Sequence, residues 1–75
     1  MIKITTKSKN LKTKEKTKNV LKTECLADWL NAMNGWVETH CDEKSIVTSY
    51  VRSNKITLFT VKKNTRYTFK IEWGA

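Results

Sequence analysis

The residues of this chain with the widest chemical repertoire are one histidine and two cysteines: His40, Cys41 and Cys25. Imidazoles and thiolates bind zinc, and they also act as bases and nucleophiles, but each role requires a particular arrangement. A zinc site takes four ligands, usually from closely spaced Cys or His pairs, and no such pair occurs here. If His40 and Cys41 lay in a strand, they would point to opposite faces. The sequence therefore predicts no metal, no cofactor and no catalytic residues, so we expect the protein not to be an enzyme.

The two cysteines are too few for a disulfide framework, and we expect ordinary thiols in a reducing cytosol. A single bridge stays an alternative if one cysteine lies on a helix and the other on a facing strand. No apolar run approaches the roughly 18 residues of a membrane span. The lysine-rich N-terminal region does not resemble a secretory signal either. We therefore expect a cytoplasmic protein without a membrane partner.

Most of the charged residues are cations, and they are unevenly distributed. Fifteen Lys and Arg residues against seven Asp and Glu give a net charge of +8 in 75 residues. Residues 1–22 and 44–75 are basic, whereas residues 23–43 hold five carboxylates and no Lys or Arg. A surface charged only for solubility would be expected to mix its signs. Two basic zones flanking an acidic one therefore favour an anionic partner.

The first half of the chain shows three patterns that indicate elements. Alternating residues at 1–6 predict a short strand. Residues 7–18 contain one large apolar residue and repeated Lys, so we expect a mobile basic arm or loop. Apolar residues at three- and four-residue spacing from Val20 to Met33 predict an amphipathic helix. Asn19 is its predicted N-cap and Gly35 its stop, after which Trp36–Cys41 is an optional further strand.

The second half predicts three strands, Ser45–Arg52, Ile56–Lys62 and Arg66–Trp73, joined by the turns Ser53-Asn54 and Lys63-Asn64. These turns set a register in which Val51 faces Ile56, Leu58 faces Phe69, and Lys55 faces Glu72. One face of the sheet then collects an apolar set: Val47, Val51, Ile56, Leu58, Tyr67, Phe69, Ile71 and Trp73. We expect the helix to cover this face with the following residues: Leu26, Trp29, Leu30 and Met33.

The predicted architecture is a single α+β domain over residues 1–75. It consists of a small antiparallel sheet of three to five strands with one amphipathic helix packed on one face, in the order β-α-β-β-β. An additional strand before the three C-terminal ones is the variant of this order. The core is small because the chain is short.

The other face of the predicted sheet places aromatic rings among cations, and it is the candidate binding surface. Bases stack on such rings, and Lys and Arg meet phosphates. The members of this face are Tyr50, Arg52, Lys55, Phe59, Arg66 and Lys70. The basic arm adds Lys7, Lys9, Lys12, Lys14, Lys16 and Lys18. The simpler interpretation is an exposed sheet built from good strand formers and kept in solution by its charge.

The composition and this surface predict a small basic protein that binds nucleic acid, RNA or single strands in preference to duplex DNA. Binding is expected to be largely independent of sequence, because Lys reads bases less well than Arg and the chain has two Arg. The alternative is an accessory protein of the phage or mobile-element type. Such a protein would inhibit or recruit a host protein by binding an acidic surface of that host protein. The short chain, which is rich in Lys, Asn and Thr and contains no Pro, favours this alternative. Neither interpretation specifies an oligomeric state.

Overall fold

A computed structural model describes residues 1–42, 46–52 and 54–74, and for 46–52 it describes the backbone alone. Within these residues the chain forms one antiparallel sheet of five strands in the order β2-β1-β5-β4-β3, with a helix on one face. The elements are β1 (Ile2–Asn10), β2 (Lys16–Thr23), α1 (Leu26–His40), β3 (Ile46–Arg52), β4 (Lys55–Lys62) and β5 (Thr65–Trp73). The predicted α+β class, with one helix on an antiparallel sheet, is confirmed.

The three C-terminal strands pair in the predicted register. Val51 lies opposite Ile56, and Leu58 lies opposite Phe69. Lys55 lies opposite Glu72, and its Nζ is 3.6 Å from Glu72 Oε2. In the predicted turn between β4 and β5, Lys63 adopts a left-handed φ of 56°, as a tight hairpin turn requires. The other predicted turn includes Ser53, which lies outside the described residues.

The basic segment 7–18, predicted to be a loop, belongs instead to a β-hairpin. β1 continues to Asn10 and β2 begins at Lys16. The Asn10 side chain shapes the turn, because its Oδ1 accepts hydrogen bonds from the backbone N–H groups of Lys12 at 2.9 Å and Thr13 at 3.0 Å. The prediction was wrong because it considered only how little apolar surface the segment could bury. β1 lies between β2 and β5, so its backbone is hydrogen-bonded on both sides whatever its side chains are.

The helix lies further along the chain than predicted. Asn19, the predicted N-cap, belongs to β2, and Trp36–Cys41, the optional strand, forms the last helical turns and the C-cap. Thr23 precedes the helix and accepts a hydrogen bond from the Cys25 N–H at 3.0 Å. Gly35 has no left-handed φ and does not stop the helix, so the three- and four-residue spacing simply continues through it. No helix of the described residues combines the length and apolar character needed to cross a bilayer.

The core lies between α1 and strands β1 and β5. Its buried members are Ile4, Trp36, Phe69 and Ile71, and the Trp36 and Phe69 ring centroids are 5.7 Å apart. Phe69 and Ile71 are therefore buried as predicted. The other apolar residues predicted for this face, Ile56, Leu58, Tyr67 and Trp73, are half-buried, as are Trp29 and Met33 of the helix.

Two helical residues depart from the predicted core. Leu26 and Leu30 are 67% and 44% exposed. The helix packs on β5, β1 and β2, and its buried contact is made by Trp36, which the sequence interpretation had placed outside the helix. The side chains of Val47 and Val51, also predicted for the core, lie outside the described residues.

Cys25 and Cys41 are the residues that flank the helix at its two ends, and both are free thiols. A rise of 1.5 Å per residue separates them by about 24 Å. A disulfide requires Cα atoms within about 7 Å of each other. The bridge that the sequence left open is therefore excluded within one chain.

Candidate nucleic-acid interface

Strand register assigns each strand residue to one of two faces, because side chains alternate along a strand. One face bears Ile4, Phe69 and Ile71 and packs against the helix. The opposite face, called the open face below, carries nine Lys and Arg residues of the described side chains and one carboxylate, Glu72. The nine are Lys3, Lys7, Lys9, Lys16, Lys18, Lys22, Lys55, Arg66 and Lys70.

Most of the residues predicted for the interface share this face. They are Lys7, Lys9, Lys16, Lys18, Lys55, Phe59, Arg66 and Lys70. Lys12 and Lys14 lie in the β1–β2 connection instead, and they are exposed. Tyr50 and Arg52 have side chains outside the described part of the structure, although their backbones pair with Thr57 and Lys55.

Sequence reasoning missed two members of the open face, Lys3 and Lys22, which lie directly opposite each other. The signal that would have found them is the spacing of the lysines. Lysines occupy odd positions from 3 to 9 and even positions from 12 to 22. Across this hairpin, odd-numbered residues of β1 lie opposite even-numbered residues of β2, and directly opposite residues share a face. The change from odd to even lysine positions therefore keeps the lysines on one face of both strands.

Five cations form a cluster at the end of the open face next to the β1–β2 turn. Lys9 lies between Lys16 and Arg66, and Lys7 lies opposite Lys18 on the neighbouring row. Directly opposite residues of antiparallel strands have Cβ atoms about 4.5–5.5 Å apart. These five residues, called the basic cluster below, surround a depression of about 350 Å³. Among the described residues, none of the five pairs with a carboxylate.

The other end of the open face is partly neutralised. Glu72 Oε2 lies 3.6 Å from Lys55 Nζ, and Glu72 Oε1 lies 3.5 Å from Lys70 Nζ. Burial alone would raise the pKa of Glu72, but the charges of Lys70, Lys55 and Lys3 together outweigh it and lower the pKa below its ordinary value. The carboxylate therefore stays ionised, and the positive charge of the face is concentrated in the basic cluster.

Phe59 is the aromatic side chain that the described residues place on the open face. It is half-buried and lies opposite Thr68, which in turn lies opposite Lys7. Phe59 therefore shares a row with Lys7 of the basic cluster, and the backbone positions of these two residues are about 10 Å apart across two strand spacings. This arrangement combines a flat apolar surface with cations, as proteins that bind single strands do.

Charge of the opposite sign lies on the other side of the molecule. Glu24, Asp28 and Glu38 lie on or next to the helix, and the described segment from Thr23 to Asp42 contains no Lys or Arg. Asp42 lies 3.5 Å from Lys62, a cation that faces the helix side. The open face is thus basic, and the layer behind it is acidic.

No group of three or more His, Cys, Asp or Glu side chains in the described ranges lies close enough to hold a metal ion. The chain matches no protein-family model, and no curated protein or solved structure is detectably similar to it. The surface of this chain, and not an analogy of fold, is therefore the basis on which a function can be assigned.

Proposed function

We propose that this protein binds single-stranded nucleic acid, RNA or DNA, through its open face and catalyses no reaction. Phosphates lie on the basic cluster, and a base stacks on Phe59. The observation that carries the proposal is the cluster itself, five neighbouring cations without a carboxylate partner among the described residues. A cytoplasmic location is part of the proposal, since a free strand would be met there.

The cluster costs stability in the free protein. Like charges directly opposite each other are unfavourable by about 0.2–1 kcal/mol per pair. Three such pairs occur: Lys9 with Lys16, Lys9 with Arg66, and Lys7 with Lys18. The Lys55–Glu72 pair at the other end of the face is an example of the opposite-charge arrangement that a purely structural sheet favours. A bound polyanion would relieve the repulsion in the cluster. Binding of a polyanion would therefore explain why these five cations have no carboxylate partner among the described residues.

The shape of the surface favours a single strand over a duplex. Five strands at about 4.8 Å spacing make a face about 19 Å across, wider than the roughly 12 Å major groove of B-DNA. A single strand instead presents its bases to a flat surface. Lysines meet phosphates as point charges and read no base edges, so the proposal includes weak discrimination between sequences.

The salt dependence of binding tests the cluster. Affinity for a labelled 12-nucleotide strand, measured by fluorescence anisotropy, falls with salt at a log–log slope of about 0.7 per neutralised phosphate. Combining Lys9→Gln, Lys16→Gln and Arg66→Gln is expected to weaken all sequences alike and to flatten the slope by about 2. The matched control combines Lys12→Gln, Lys14→Gln and Lys63→Gln, which remove the same charge from the turns and have a smaller effect.

A second variant tests the stacking contact. Phe59→Ala is expected to cost about 1–3 kcal/mol of binding free energy with little change in slope. Val61→Ala, on the same strand and face but 43% exposed and apolar without a ring, is the control. Equal losses from both charge triples, or no binding at low salt, would contradict the proposal. Capture of one stoichiometric protein after nuclease treatment would then favour the host-protein alternative.

A further inference from the structure

The β1–β2 hairpin also borders a second cavity, on the helix side of the sheet and therefore behind the open face. It has a volume of about 180 Å³ and is open to solvent at the edge strand β2, where Thr17 and Asn19 are exposed. Lys7, Ser8 and Thr17 line both this cavity and the depression of the basic cluster. The two recesses therefore meet across the same short stretch of hairpin.

Aromatic rings form one wall of this cavity. The His40 ring centroid lies 4.4 Å from that of Tyr67 and 5.4 Å from that of Trp36. His40 Nδ1 is 3.1 Å from the Trp36 carbonyl oxygen, which can only accept, so Nδ1 carries the proton. In the neutral ring, Nε2 is then an acceptor. Of these three rings, Trp36 is the buried one, at 5% exposure.

On the strand side of the cavity, the helix-facing positions present uncharged hydrogen-bonding side chains. Lys7 also lines the cavity, but its position in the strand places its side chain on the open face. The hydroxyl groups of Ser8 and Thr17 hydrogen-bond to each other. The Thr6 and Asn19 side chains and the Tyr67 hydroxyl, in contrast, have no hydrogen-bond partner within the described residues. No carboxylate lines the cavity. Its free groups are donors and acceptors next to aromatic rings, a combination that suits a flat, neutral, polar ring.

We propose that this cavity binds one nucleobase. The volume far exceeds the roughly 30 Å³ of a water molecule and is below the 300–1,000 Å³ of pockets for drug-sized ligands, so it suits a single heterocycle. The hydroxyl and amide groups of Tyr67 and Asn19 hydrogen-bond the polar edge of the base. The base comes either from a free nucleoside or from a strand that crosses the open face and passes around the edge strand β2. The second source rests on the proposed function, whereas the first does not.

Uncharged nucleosides test the cavity without the phosphate contacts that the basic cluster would make. Adenosine, guanosine, cytidine and uridine are each titrated into ¹⁵N-labelled protein, and the Trp36 indole N–H and the His40 ring signals are followed by NMR. We expect saturable shifts with at least one nucleoside. Asn19→Ala and Tyr67→Phe each remove one hydrogen-bonding group and are expected to weaken that binding about five-fold.

Asn31→Ala provides the matched control, because Asn31 is exposed on the helix and does not line the cavity. It is expected to bind the nucleoside as the original chain does. Absence of any saturable shift at these two rings, or equal binding by Asn19→Ala and Asn31→Ala, would overturn the inference.

An oligonucleotide arm separates the two sources of the base. If the nucleic-acid strand supplies the base, Asn19→Ala weakens the binding of a hexanucleotide. The same substitution then leaves unchanged the binding of a hexanucleotide whose positions are abasic. If Asn19→Ala affects only free nucleosides, the cavity is a nucleoside site. Nucleoside binding without any oligonucleotide binding would support the cavity and overturn the proposed function. Oligonucleotide binding that is insensitive to Asn19→Ala, together with no nucleoside binding, would support the proposed function and overturn the cavity as a base-binding site.

Discussion

Glu72 shows how a single residue sets the charge of the open face. Among the described residues it is the carboxylate on that face. It forms ion pairs with both Lys55 and Lys70, whose Nζ atoms lie 3.6 and 3.5 Å from its carboxylate oxygens. Burial opposes its ionised form, but the surrounding lysines outweigh this and lower its pKa. A lowered pKa in the folded state means that ionised Glu72 favours folding at neutral pH.

Glu72→Gln is therefore expected to lower the free energy of unfolding at pH 7, by less than about 1 kcal/mol because the pair is partly exposed. The contribution is present above the ordinary carboxyl pKa and is lost as the pH falls through the lowered value. The two proteins should thus become equally stable in acid, as urea unfolding at several pH values would show. The same variant should bind single strands more tightly. A stability difference that persists at low pH would contradict this account of Glu72.

At the scale of elements, Gly35 illustrates how a helix can continue through a residue that usually ends one. Glycine and asparagine just after an apolar stripe are typical of a left-handed helix stop. Here Gly35 lies inside α1, with no left-handed φ, and a Cβ built on it would have no heavy atom within 4 Å. The helix thus tolerates glycine without using its conformational freedom.

Gly35→Ala is expected to raise the free energy of unfolding by about 0.5–1 kcal/mol, because alanine loses less backbone entropy in a helix and meets no clash. The thermal midpoint measured by circular dichroism reports the change. Gly74→Ala, outside any element, is the control and should have little effect. Destabilisation by Gly35→Ala would mean that the residue ends the helix after all.

The β1–β2 hairpin is the element in which stability conflicts with the proposed binding. Lys9 is directly opposite two cations, Lys16 on one side and Arg66 on the other. Such pairs are unfavourable in the free protein, and the repulsion weakens as salt screens it. Backbone pairing on both sides of β1 keeps the strand in place despite this cost.

Lys9→Gln is expected to stabilise the fold by about 0.2–1 kcal/mol at low salt, and less at high salt, while weakening strand binding. Urea unfolding and anisotropy on the same samples would measure both effects. Lys63→Gln, in the β4–β5 turn, removes the same charge without a directly opposite cation and should change neither much. Loss of stability in Lys9→Gln would show that the cluster does not repel itself.

For the whole molecule, the separation of charge between its two sides predicts an oriented complex. The open face attracts a polyanion, and the carboxylates around the helix repel it. In a lysine-acetylation footprint read by mass spectrometry, a bound strand should protect Lys7, Lys9, Lys16 and Lys18. Lys62, which pairs with Asp42 on the helix side, should keep its reactivity. Uniform protection of all lysines would indicate binding by net charge alone.

The sequence alone determined the sheet register of the C-terminal half and the face on which Lys55, Phe59, Arg66 and Lys70 lie. This was possible because the alternation of side chains and the short turns are local properties of the chain. It also determined the helical spacing of the apolar residues, though not the limits of the helix. Composition alone, however, wrongly indicated a loop at 7–18. The apolar content of a segment does not reveal which of its backbone groups will be hydrogen-bonded to another strand.

Only the tertiary structure decided that β1 lies beside β5, a pairing between residues at opposite ends of the chain. That pairing makes 7–10 a central strand segment and brings Arg66 next to Lys9, which completes the basic cluster. β2, paired with β1, includes Thr17 and Asn19, so the helix begins at Leu26 and not at the predicted Asn19. Trp36 and His40 therefore lie over the hairpin. Long-range backbone hydrogen bonding, which no local pattern encodes, therefore built both candidate sites.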